Sequence, residues 1–153
     1  MVCSRFACAL LCAVLISGCS KSPDDGTSAP PTPEEIAAQT DLTCAEILKA
    51  SNNMVAESWL KSHPKASLGG NEAGLPVLLS PLVTKLKLAG ASRVVVQFSG
   101  LERDARILAL IVILPADAPS REKLFALEPE LSALAQRSSV PDVGQKHLLY
   151  AFE

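Results

Sequence analysis

RVVVQFS (residues 93–99) and RILALIVIL (residues 106–114) are the two stretches that decide the fold of this chain. Three consecutive valines and an aromatic side chain favour an extended backbone, so the first stretch predicts a β-strand. The second is aliphatic at nearly every position, which is typical of a strand in the centre of a sheet with both faces covered. A charged turn is predicted between them, at residues 100–104. The second stretch is too short for a transmembrane helix, which needs about 20 apolar residues.

Two elements are predicted after these strands. Ser120 is expected to cap a helix with leucines at helical spacing, and Pro129 within it predicts a kink or two abutting helices. Residues 147–152 predict a final strand, because Leu148, Tyr150 and Phe152 alternate onto one face. We place Glu128 and Glu130, which flank the proline, on the exposed face of the helix.

Helices are predicted before the strands. In residues 32–35, Thr-Pro-Glu-Glu, the threonine is a candidate N-cap and the second glutamate stands at N3. A second start is expected at Thr40-Asp41. From Leu42 to Lys61 the period is helical, with Thr43 and Glu46 as a possible capping box and an apolar face at positions 44, 47, 48, 55 and 59. His63-Pro64 ends this helix.

A loop and a third helix complete the sequence pattern. Residues 64–75 contain Gly69-Gly70 and Gly74 and predict a loop. Ser80-Pro81 then predicts a short helix that Gly90 closes, although a strand at residues 84–88 is the alternative.

The predicted order is α-α-β-β-α-β, an α+β fold in which helices cover a small sheet of three or four strands. Its C-terminal half matches a ferredoxin-like unit that lacks its first strand. Either a short strand hides in residues 65–78 or the sheet has only three strands. Element order alone implies no function.

The N-terminal residues have the pattern of a targeting signal. A short n-region with Arg5 precedes an apolar run, residues 6–16, and Leu15-Ile16-Ser17-Gly18-Cys19 closes it. This segment resembles the lipobox of bacterial lipoproteins. The resemblance implies lipidation of Cys19, cleavage after Gly18 by signal peptidase II, and acyl chains such as palmitate as the membrane anchor. An uncleaved helix or an ordinary secretory signal is the alternative.

The resemblance divides the chain into three parts: a signal peptide at residues 1–18, a lipidated flexible tether at 19–32, and one α+β domain at 33–153. The tether is rich in Pro, Ser, Gly and Asp and holds no large apolar side chain. Ser20 follows the lipidated cysteine where an aspartate would indicate inner-membrane retention. We therefore expect the periplasmic face of the outer membrane.

Composition excludes a nucleic-acid partner. Loss of Arg5 with the signal leaves 13 basic side chains against 16 acidic ones, and no basic block is present. Cys44 is then the sole unmodified cysteine of the mature chain. Its helical spacing predicts a buried thiol, with an intermolecular disulfide or a reactive thiol as alternatives.

The sequence contains no recognisable catalytic motif. The histidines, His63 and His147, have no local signature, and no spacing typical of metal ligands occurs. Trp59 is expected in the core. We therefore predict no catalytic or metal residues, no cofactor, and a non-catalytic interaction or assembly module that binds an unidentified envelope protein at the membrane. The alternative is a small envelope enzyme or ligand-binding domain with scattered site residues near Cys44, His147 and Tyr150.

Overall fold

A computed structural model of the chain describes residues 30–70, 76–99 and 106–152. The lipobox, the predicted turn at 100–104 and most of the tether lie outside these residues. The elements are α1 (Pro33–Lys49), β1 (Asn53–Val55), α2 (Ala56–Ser62), β2 (Ser67–Gly70), β3 (Pro76–Leu78), α3 (Leu79–Leu88), β4 (Arg93–Ser99), β5 (Arg106–Ile113), α4 (Ala118–Leu134) and β6 (His147–Ala151). None of the helices in this part of the chain is long and apolar enough to cross a membrane.

The main sheet is antiparallel, with four strands in the order β1-β4-β5-β6, and β2 and β3 form a separate two-stranded sheet. This arrangement confirms the predicted α+β class and the small sheet covered by helices. The predicted order α-β-β-α-β of the C-terminal half is also observed. The expected loop at 64–75 is wrong at residues 67–70, which form β2, and residues 71–75 lie outside the described ranges.

The ferredoxin-like interpretation is not supported by the strand order. In that unit two parallel strands flank a helix, and another strand lies between them. Here β5 and β6 flank α4 and are antiparallel neighbours, with Ile111 paired to Leu149. The fourth strand of the main sheet is β1, not a strand hidden at 65–78.

Both faces of β5 are covered at its C-terminal end, as predicted. Leu110 and Val112 contact the larger core, to which α2, α3 and α4 contribute apolar side chains. Ile111 points to the other face and packs with Val95 and with Cys44 of α1. Alternate residues of one strand thus fill two separate cores.

Helix α1 begins where the sequence predicts and continues without a break through Thr40-Asp41 to Lys49. Thr32 is the N-cap, and its capping box with Glu35 is complete. The predicted helix from Leu42 to Lys61 is wrong, because α1 stops at Lys49. The Asn53 side chain donates to the carbonyl of Ile47 at 2.9 Å. This bond satisfies a carbonyl that the end of the helix leaves without a backbone partner, and it favours a turn at this point.

The predicted second start and its capping box are therefore wrong as well. Thr43 lies inside α1 and donates to the carbonyl of Gln39, while Glu46 pairs with Lys49 on the surface. The predicted common apolar face is divided between the two cores. Cys44 packs against the α1 side of the sheet, and Trp59 of α2 packs on the opposite side.

The strand alternative for residues 84–88 is wrong, because they belong to α3. Gly90 follows that helix with φ +102°, as expected for its closing residue. Helix α4 begins at Ala118, and Asp117 caps it by accepting from the Ser120 amide at 2.9 Å, so Ser120 is not the N-cap. Pro129 lies within one continuous helix, which excludes two abutting helices.

Candidate functional site

A cleft of about 320 Å³ lies beside β6. It is lined by the N-terminal half of α1, by the segment after α4 and by the start of β6. Most of the lining is apolar, and its size lies at the lower end of the range for ligand sites. The lining residues are Pro33, Ile36, Ala37, Thr40, Arg137, Ser138, Ser139, Val140, Pro141, Gln145, His147, Leu148 and Leu149.

The two walls of the cleft lie on opposite faces of the sheet. Helix α1 packs through Cys44 onto the face that carries Ile111. The segment after α4 contacts the other face, because the Arg137 guanidinium lies 4.6 Å from the ring centre of Tyr150. The edge of β6 therefore runs between the walls.

The register of β5 and β6 shows which backbone groups face this edge. The Leu114 amide donates to Lys146 and the Phe152 amide donates to Leu108, so alternate pairs between them form the ladder bonds. Leu148 and Tyr150 direct their amides inward to β5. His147, Leu149 and Ala151 direct their N–H and C=O groups outward.

Asp41 of α1 occupies the start of the β6 edge. Its carboxylate accepts from the Lys146 amide at 3.0 Å and from the His147 amide at 2.9 Å. These are charge-assisted bonds, which are stronger than bonds between neutral groups. Asp41 thus takes the place that a carbonyl of a neighbouring strand would take at this position.

The same carboxylate orients the His147 ring. His147 Nδ1 lies 2.8 Å from Asp41 Oδ1. Because a carboxylate only accepts, Nδ1 is the donor and the neutral ring keeps its lone pair on Nε2. No described residue bonds to Nε2, which is therefore the ring nitrogen left for a ligand in the cleft.

A buried carboxylate fixes the other wall. Glu128 is fully buried and accepts from Ser132, Ser139 and Arg137, the last at 2.9 Å. Buried charge is tolerated only with such partners. The network ties the segment after α4 back onto α4, so the expectation that Glu128 is exposed is wrong. Glu130 is exposed and pairs with Lys85.

The chain turns sharply between α4 and this wall. Gln136 has φ +51°, and the Arg137 amide donates to the carbonyl of Ser132 at 3.0 Å. This is the Schellman arrangement of a helix end, with Gln where glycine is preferred. Further along, Arg121 of α4 forms a bidentate pair with Asp142.

Two of the predicted candidates lie outside the cleft lining. Cys44 is buried, as predicted, and burial, assisted by Asp41, raises the pKa of its thiol to about 12. Tyr150 is also buried, and burial followed by the Glu128 charge raises its pKa. Neither group is a ready nucleophile at neutral pH.

The remaining candidates are separated in the fold. Trp59 is in the core, as predicted, and stacks on His63 with 3.9 Å between ring centres. Of the two histidines, His147 alone lines the cleft. No cluster of three potential metal ligands occurs within residues 30–70, 76–99 and 106–152. Leu15, Ile16, Ser17, Gly18 and Cys19 lie outside those ranges.

Asp41 and Arg137 are the site residues that sequence patterns do not reveal. The pattern around Asp41 indicates a helix start, whereas its partners are more than a hundred residues away in the chain. Neither residue belongs to a local pattern, so the sequence offers no signal for them.

Comparisons with protein-family models, with curated proteins and with solved structures give no match to this chain.

Proposed function

We propose that this protein is a lipid-anchored bacterial envelope protein whose α+β domain is a non-catalytic interaction module. In this proposal Cys19 carries the lipid, the protein lies on the periplasmic face of the outer membrane, and the cleft beside β6 contacts an envelope protein. A small domain on a tether has a high effective concentration near its membrane neighbours, so a modest interface suffices.

The anchor part of the proposal rests on the sequence. Leu15-Ile16-Ser17-Gly18-Cys19 resembles a lipobox, and the apolar run before it has the length of a signal peptide. A Cys19→Ser variant in a bacterial host is expected to accumulate as unprocessed precursor. Processing of the variant at the same site would contradict lipidation of Cys19.

One observation carries the interaction part: an apolar cleft runs along a sheet edge whose outward backbone groups at Leu149 and Ala151 have no partner among the described residues. Such an edge can pair with another chain, and natural proteins usually protect it. A concave apolar surface with a few polar groups is also the usual form of a binding site.

Site-specific photo-crosslinking in the host tests this assignment. A photoreactive residue replaces Ile36, which lines the cleft and is 40 % exposed, and Leu42, which lies on the same helix outside the cleft and is 64 % exposed. We expect a defined crosslinked envelope protein from position 36, at least fivefold stronger than from position 42. Equal yields, or none from position 36, would contradict the proposal.

A second candidate function is general-base catalysis, because Asp41 orients His147 on the cleft as a carboxylate orients a catalytic histidine. His147→Asn tests it, since an amide at this position still donates to Asp41 but cannot accept a proton at neutral pH. The interaction module predicts retained function in the host. Loss of function at unchanged abundance would favour the enzyme.

A further inference from the structure

The β6 edge is prepared for one more strand. The N–H and C=O groups of Leu149 and Ala151 point away from β5, and no described residue bonds to them. Residues 148–152, Leu-Leu-Tyr-Ala-Phe, contain no charge and no proline, the two features that commonly block edge pairing. The edge thus presents unpaired hydrogen-bonding groups on an apolar strand.

Asp41 sets where an added strand could begin. Because its carboxylate already accepts from the Lys146 and His147 amides, the first unoccupied outward donor is Leu149. Pairing at Leu149 and Ala151 would place an added strand along the cleft. Side chains of alternate residues would then enter the apolar space between α1 and the segment after α4.

The walls limit what can approach the edge. Helix α1 and the segment at residues 137–141 flank β6 on opposite faces of the sheet. A second copy would bring the same two walls against these, because its β6 edge is flanked in the same way. A single extended segment carries no such walls and avoids this collision.

The charge of the lining indicates one further property of the ligand. Arg137 and His147 are the ionisable residues that line the cleft, and no carboxylate lines it. Arg137 donates one Nη2 N–H to Glu128 and its Nε–H is buried, while 27 % of the side chain is exposed, so the other Nη N–H groups are the ones left for a ligand. A carboxylate is the complementary group, since it pairs with a guanidinium through charge-assisted bonds.

We infer that β6 accepts an extended segment of a partner polypeptide as an added strand, with a carboxylate of that segment bound by Arg137. The inference rests on the proposed function and specifies how the partner is held. The carboxylate is either a side chain or a free C terminus, which present the same chemistry to the guanidinium.

Peptide selection on the purified full-length protein tests the inference. One random library ends in a free carboxylate, and a second is embedded between constant segments, so the two sources of the carboxylate are compared. We expect enriched peptides whose affinity falls at least tenfold when the carboxylate is converted to an amide. Because only the peptide changes, the result does not depend on how Arg137 substitutions fold.

Amide hydrogen exchange then locates the bound peptide. Binding is expected to slow exchange at Leu149 and Ala151 at least tenfold. The outward amides of Asn53 and Val55, at the opposite edge of the sheet, are the internal control and should be unchanged.

Four results would overturn the inference: no enriched peptide, enriched peptides that leave Leu149 and Ala151 unprotected, affinity that is indifferent to the carboxylate, or a dimer of the protein that protects the same amides without peptide. If the photo-crosslink from position 36 persists in any of these cases, the interaction module stands and only the strand addition fails. Loss of that crosslink would remove both.

Discussion

The two edges of the main sheet are built differently. The β1 edge has three residues, begins with asparagine and passes directly into α2 at Val55. The Asn52 side chain donates to the carbonyl of Phe98, and the Asn53 side chain donates to the end of α1. The β6 edge has five residues, and the Asp41 carboxylate occupies its first outward amide. From Leu149 onward no described residue bonds to its outward groups. A short edge strand that is joined directly to a helix gives another chain little length to pair with. The β6 edge instead has two successive residues with outward N–H and C=O groups, Leu149 and Ala151.

The largest loss in unfolding free energy is expected at Glu128, which holds the segment after α4 beside β6. Glu128→Ala leaves Arg137 without its carboxylate and removes the acceptor for two serines, so we expect a loss of about 4 kcal/mol in unfolding free energy. Chemical denaturation measures it. The matched control is Glu130→Ala, which removes an exposed partner of Lys85 and is expected to cost less than about 1 kcal/mol. Similar losses for both would refute the role of Glu128.

The next prediction compares Asp41, which bonds to the start of the β6 edge, with Asn53, the first residue of the β1 edge. Asp41→Ala removes the acceptor of two backbone amides and the His147 ring, and should cost about 3 kcal/mol. Asn53→Ala removes one neutral donor at the end of α1 and should cost about 1 kcal/mol. Thermal and denaturant unfolding of both variants compare the two edges directly. A larger loss at Asn53 would contradict the stronger role assigned to Asp41 at the β6 edge.

Cys44 holds α1, one wall of the cleft, on the sheet, and its titration gives a third prediction. The pKa of the Cys44 thiol is about 12 in the folded protein, and its usual value is 9.0. The stability contributed by the buried neutral thiol is therefore complete below pH 9 and is lost as the pH rises towards 12. Wild type should therefore lose about 1.4 kcal/mol more than Cys44→Ala between pH 8 and pH 10. Parallel pH dependences of the two proteins would show that Cys44 is not buried in the folded state.

Much of the sheet follows from the sequence, but its β1 edge does not. The predicted limits of β4 are observed, and β5 is shorter than predicted by one residue. Short runs rich in β-branched and aliphatic side chains favour strands, and a run that is apolar at every position favours a strand covered on both faces. Strand β1 was missed because Asn-Met-Val is too short to show a period, and the flanking apolar residues continue the helical spacing of α1.

The candidate site could not be predicted for a different reason. Glu128 is charged and flanks a proline, so the local pattern places it on the surface, and only the folded chain brings Arg137 and Ser139 to it. The contact between Asp41 and His147 likewise joins residues at opposite ends of the domain. Polar contacts of this kind leave no periodicity in the sequence, whereas burial of apolar side chains does.

The smallest effect concerns the turn into the β6 wall. Gln136 adopts φ +51°, a conformation that glycine adopts without steric cost. Gln136→Gly is therefore expected to raise the unfolding free energy by about 0.5 kcal/mol. Denaturant midpoints are sensitive enough to measure this change. A loss of stability would mean that the Gln136 side chain makes a contact worth more than the backbone strain.

If β6 and not β1 is the edge that binds, one pair of proline substitutions should separate the two edges. Leu149→Pro and Val55→Pro each remove an outward amide that makes no bond within the sheet, and Val55 already has φ −58°, which suits proline. Each substitution is combined with the photoreactive residue at position 36 in the full-length protein in its host, at matched abundance. We expect the crosslink to fall at least tenfold with Leu149→Pro and to be unchanged with Val55→Pro. An undiminished crosslink with Leu149→Pro, or equal losses with both, would contradict binding at the β6 edge.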